Sequence, residues 1–120
     1  MKKQVVVGDS LSDAAQRVAD AWHRAEQGSE IEPTDTITFV SWSALASVMS
    51  DRRYELLCHL HRHPAGSIRT LARELGRDFK RVHEDVKVLE SVGLIEREGR
   101  MLRADYDVIQ ASILLDAAAA

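Results

Sequence analysis

Ser67-Ile68-Arg69-Thr70-Leu71-Ala72-Arg73-Glu74-Leu75-Gly76-Arg77-Asp78 runs directly into Phe79-Lys80-Arg81-Val82-His83-Glu84-Asp85-Val86-Lys87-Val88-Leu89. Ser67 is placed to cap a helix, and Ile68, Leu71, Ala72 and Leu75 follow at spacings of three and four. Gly76 can adopt the positive φ that ends that helix, and Asp78 can cap a second. The second helix turns Phe79, Val82, Val86, Leu89 and Val92 inward and stops at Gly93. Ala72 is small where two helices must pack closely across a short turn.

Upstream, Asp51 is a fitting N-cap for a helix carrying Tyr54, Leu56, Leu57 and Leu60, which His63-Pro64-Ala65-Gly66 stops. Downstream, Leu94-Ile95-Glu96-Arg97, a turn at Glu98-Gly99-Arg100, and Met101-Leu102-Arg103 carry a β-hairpin signal. The span from Tyr106 to Leu115 is ambiguous, and its β-branched, partly alternating pattern favours a strand. Helix, short helix, glycine turn, longer helix and hairpin, in that order, are the elements of a winged helix-turn-helix.

The first fifty residues read differently. Gln4-Val5-Val6-Val7 is a short strand that stops at Gly8-Asp9. Leu11, Ala14, Ala15, Val18, Ala21, Trp22 and Ala25 trace a helix, which Ser10 or Ser12 can cap. Ser29 to Asp35 is a polar linker holding Pro33. Thr36-Ile37-Thr38-Phe39-Val40 alternates as a second strand, and Ser43 begins a short helix with Leu45, Ala46, Val48 and Met49 on one face. The expectation is an α+β protein: an N-terminal β-α-β-α extension over residues 1–50, for dimerisation or partner binding, and a winged helix-turn-helix over 51–116.

The net charge of −3 argues at first against nucleic acid, but the charge is unevenly placed. Residues 51–103 hold 12 Lys and Arg against 9 Asp and Glu, whereas the remainder holds 4 against 10. Phosphate affinity responds to charge within a Debye length, roughly 8–10 Å in physiological salt, so a basic module inside an acidic chain can still bind DNA.

If Val82, Val86 and Leu89 are buried, the helical period puts Lys80, Arg81, His83, Glu84 and Lys87 outward. Lys80, Arg81 and His83, on the first turn and a half, are the candidates for base-edge contacts in a major groove. Arg77 lies at the helix N-terminus, where backbone N–H groups also favour phosphate. Lys87, Arg69 and Arg73 suit the phosphate backbone, and Arg100, at the hairpin tip, suits the adjacent minor groove or its phosphates. The bland alternative makes each of these cations part of a solvated helix face. Their concentration around one helix favours the functional reading.

The stretch from Ser67 to Asp78, with Val82-His83-Glu84-Asp85-Val86-Lys87-Val88-Leu89-Glu90 and Gly93-Leu94-Ile95-Glu96, resembles a family of MarR-like predicted transcriptional regulators of archaea and bacteria. The likeness extends to the N-terminal helix with Ala21-Trp22, the strand ending at Phe39, and Arg53 before Leu56-Leu57. It implies a winged-helix fold, DNA binding and dimers; some members look like antitoxins. Glu84 departs from it, standing where a basic residue is common.

Two other motifs point elsewhere. Val5-Val6-Val7-Gly8-Asp9-Ser10-Leu11 resembles the nucleophile block of the GDSL esterases, but the chain has no asparagine for an oxyanion hole and its last histidine is His83. Gly8-Asp9-Ser10 therefore reads as a capped strand-to-helix turn, and no catalytic residue is expected. His59 and His63, at i and i+4 beside Cys58, could share an ion. Without a further ligand in the pattern they read as a solvated helix end, where histidine suits the dipole; no metal or cofactor is expected. Trp22, Trp42 and Phe39 read as packing of the extension or as a dimer seam.

One cysteine, no bilayer-length apolar run and no secretory h-region lead to an expectation of a cytoplasmic protein without a membrane partner. The expected function is sequence-specific duplex-DNA binding by a homodimeric regulator, as a repressor. The alternative is an antitoxin whose acidic extension neutralises a basic toxin, and RNA binding is the weaker third reading.

Overall fold

The computed structural model describes residues 2–8 and 34–115. The expected helix from Leu11 to Ala25, with Trp22, and the Asp9-Ser10 pair of the esterase-like block lie outside them. The chain has α+β architecture in two contact units, one of residues up to 45 together with those from 107 on, the other of 46–106.

The first unit contains a three-stranded parallel sheet. Strands β1 (Lys2–Val7), β2 (Thr34–Phe39) and β5 (Val108–Ile113) lie in the order β2-β1-β5. The register sets Val5 opposite Ile37 on one side and Ala111 on the other. β1 is central and buried, with Val5, Val6, Val7 and even Lys3 almost fully covered; a run of β-branched residues suits a strand flanked on both sides. β2 begins at Thr34, two residues earlier than the sequence reading, which gave Thr34 and Asp35 to the linker. The larger difference is β5. The ambiguous span is a strand, as favoured, but it pairs with β1 rather than joining the 51–116 unit in which it was expected.

Before the second unit, α1 (Trp42–Val48) starts where Ser41 Oγ accepts the Ala44 N–H, and of its residues only Val48 is buried. In the second unit, α2 (Asp51–Arg62) is capped by Ser50, whose side chain accepts from the Arg53 N–H. The expected cap, Asp51, is instead the first helical residue, where its charge favours the positive end of the helix dipole. α3 (Ile68–Leu75) and α4 (Phe79–Ser91) are capped by Ser67 and Asp78 as read from the sequence. Gly76 joins them at φ 64°, and the Arg77 N–H closes the turn onto the Ala72 carbonyl at 3.0 Å. A side chain other than glycine would be strained there.

The core unites Leu56, Leu57 and Leu60 of α2, Leu71 and Ala72 of α3, and Val82, Val86 and Leu89 of α4. Gly93, at φ 88°, turns the chain so that Leu94 and Ile95 drop into the same core. Strands β3 (Glu96–Glu98) and β4 (Met101–Arg103) form the expected hairpin. Ala65, in the turn after α2, exchanges both backbone hydrogen bonds with Leu102, a one-residue third strand that fixes the hairpin to the helices. Arg97 adds a two-pronged pair with Glu90 of α4, at 2.8 and 3.2 Å. Four expected core residues differ: Ile68, Leu75 and Val92 are half-buried, and Phe79 is exposed.

Asp85 lies in the buried stripe of α4, its carboxylate held between Arg53 Nε at 3.0 Å and Arg77 Nη2 at 2.7 Å. Arg53 also donates to the Ser47 and Val48 carbonyls at the end of α1. These three side chains are only 13–18% exposed, so removing the acid leaves two guanidinium groups facing each other with little water. Asp85→Ala is expected to destabilise the chain by about 3 kcal/mol or more, measured as a lower urea midpoint at unchanged slope.

Tyr106 donates to the Leu94 carbonyl at 2.9 Å. Burial, then the neighbouring Cys58 and Glu96, push its hydroxyl pKa well above the ordinary tyrosine range. A raised native pKa contributes stability that is complete below the unfolded value of about 10 and is lost as pH rises past it. The unfolding free energy is therefore expected to fall above about pH 10, by up to about 1.4 kcal/mol per unit, and to fall less steeply in Tyr106→Phe.

Candidate nucleic-acid interface

The burial of Val82, Asp85, Val86 and Leu89 fixes the rotation of α4. Lys80, Arg81, His83, Glu84 and Lys87 consequently occupy the opposite face, and all are exposed. Arg69 and Arg73 of α3 and Arg100 at the hairpin turn are exposed as well. Among the described residues, none of Arg69, Arg73, Lys80, Arg81, Lys87 and Arg100 has an ion-pair or hydrogen-bond partner for its side chain.

Arg77 is the exception among the eight sequence-selected residues. Its side chain is 15% exposed and turned onto Asp85 instead of outward along the helix N-terminus. The reason is electrostatic: an acid in the apolar stripe of α4 needs partners, and Arg77, in the turn that precedes α4, is within reach. One of its nitrogens, Nη1, is buried without a partner. The sequence carried a signal for this. Asp85 lies three residues after Val82 and four before Leu89, so the period that buries those two buries the acid too.

An open depression of about 300 Å³ lies where the start of α3, the start of α4 and the hairpin meet, lined by Ser67, Ile68, Arg69, Phe79, Arg97 and Arg100. Arg69 stacks on Phe79, its guanidinium carbon 4.9 Å from the ring centroid, and the His83 ring lies 5.9 Å away. The geometry thus brings Arg69 and Arg100 to one place, with Phe79 and Arg97, which the sequence reading did not select. Arg97 is already neutralised by Glu90, so its contribution there is geometric rather than a free charge.

The histidines of α2 are occupied locally. His59 Nε2 pairs with Glu74 Oε2 at 2.8 Å, joining α2 to α3, and the His61 Nδ1–H donates to the Ala104 carbonyl. Among the described residues no group of three His, Cys, Asp or Glu side chains is placed to hold a metal ion, and no helix is long and apolar enough to cross a membrane.

No curated protein and no solved structure matches the chain. A family model, HVO_A0114, matches residues 48–111, from the last residue of α1 through the helices and hairpin into β5. That span is more than half of the 120 residues, and the chain belongs to the HVO_A0114 family.

Proposed function

We propose that the chain is a sequence-specific duplex-DNA-binding regulator, with residues 46–106 serving as a winged helix-turn-helix of MarR-like type. The observation that carries this is the division of the cations. Arg53, Arg77, Arg97 and Arg103 are bound to acids within the fold, whereas, among the described residues, Arg52 and Arg62 of α2 and Arg69, Arg73, Lys80, Arg81, Lys87 and Arg100 are exposed without an ion-pair or hydrogen-bond partner. Apart from the two on α2, these cations lie on the outer face of α4, on α3 and at the hairpin turn, where a helix lying in a major groove about 12 Å wide would meet bases and both phosphate walls. Arg81, Lys80 and His83 read base edges; Lys87, Arg73 and Arg69 hold the backbone; Arg100 reaches the neighbouring groove. A homodimer would space two such helices by one helical turn, about 34–36 Å.

The direct test is a gel shift of the purified protein on the DNA upstream of its own gene, titrated with salt and competed with unrelated duplex DNA and duplex RNA. Arg81→Ala is expected to lose about 1–3 kcal/mol of discrimination at one base pair. Lys87→Ala is expected to weaken all sequences equally and to lower the salt slope by about one. Equal, sequence-blind losses in both variants would misplace the base-reading face, and preference for duplex RNA would overturn groove docking.

A further inference from the structure

Phe79 is the only exposed large hydrophobic side chain of α4, 40% exposed at the helix's first residue. The ring is held rather than loose, with the Arg69 guanidinium at 4.9 Å and the His83 ring at 5.9 Å. Arg69 and Arg100 line the same depression as the ring. An apolar ring with two arginines beside it, on the turn of α4 that carries the base-edge candidates, suits a partner that is anionic overall yet presents an apolar group between its charges.

We infer that Phe79 is a specificity-determining residue, packing its ring against the C5 methyl of a thymine in the major groove while Arg69 and Arg100 hold flanking phosphates. The inference rests on the DNA-binding reading above. A phenyl ring has no donor or acceptor with which to read N7, O6, N4 or N6. The thymine methyl is the apolar group that the base edges display in that groove.

The test begins with a duplex selected by the wild-type protein from a random library, in which each thymine is then replaced by deoxyuridine, removing one methyl and no hydrogen-bonding group. At one position per half-site, the wild type is expected to lose affinity about fourfold, the worth of one buried methyl. Phe79→Ala and Phe79→Gln are expected to show no penalty at that position. Gln keeps helix propensity and length, so the comparison survives if the alanine variant folds poorly. A flat uracil scan in the wild type, or an unchanged penalty in the variants, overturns the role of Phe79 and leaves sequence-specific binding standing. A library that yields no bound duplex overturns the DNA reading and this inference with it.

Discussion

The Asp85 carboxylate, set between the guanidinium groups of Arg53 and Arg77, is the contact on which the geometry of the helical unit depends. A buried acid is costly unless its oxygens are satisfied, and here each oxygen has a cationic donor. Because the three residues come from α2, from the turn before α4 and from α4 itself, satisfying the charge fixes where α4 lies and how far it is rotated about its axis. Arg53 carries the constraint further, since it also holds the last carbonyls of α1. Apolar packing of Val82, Val86 and Leu89 would tolerate a small rotation or slip of α4; two directional, charge-assisted bonds tolerate much less. The outward direction of Lys80, Arg81 and Lys87 follows from that inward anchor.

That dependence explains which parts of the unit were legible in the sequence. Caps and stops are local chemistry, so Ser67, Gly76 and Asp78 announce their helix ends without reference to the rest of the chain. The hairpin is equally local, with Gly99 at its turn. Strand partnership is not local: the pattern of Val108–Ile113 says strand and nothing about which neighbour, and its pairing with β1, more than a hundred residues earlier, depends on the whole chain path. The same limit explains the cap of α2. Ser50 and Asp51 are both good capping residues, and only the path leaving α1 decides between them.

For the candidate site, the helical period correctly separated the outer face of α4 from the inner one but misassigned its first residue. Phe79 falls on the inward phase, yet the helix begins there, beyond the reach of the core, and an aromatic at that position finds Arg69 instead of leucines. Arg77 differs in the opposite sense: an arginine beside a helix start suits phosphate, while the acid that claims it lies eight residues further on. Both errors concern residues at element boundaries, where periodicity carries least information and tertiary partners decide.

The placement of charge along α4 is locally unfavourable, and that supports the functional proposal independently of groove geometry. The positive end of a helix dipole prefers acids, and Asp78 caps α4, yet the first turn that follows carries Lys80 and Arg81 and no acid. α3 repeats the pattern, with Arg69 and no acid in its first turn. Each such placement costs about 0.3–1 kcal/mol where the charge is exposed at low salt. The chain does place acids well elsewhere, as Asp51 at the start of α2 demonstrates. Beyond the Asp78 cap of α4 and the neutral Ser67 cap of α3, the first turns of both helices carry cations and no acid, which adds positive potential near their starts. A polyanion relieves that repulsion, and releases counterions as it does so; departures from local preference of this kind are expected where a surface serves binding rather than stability.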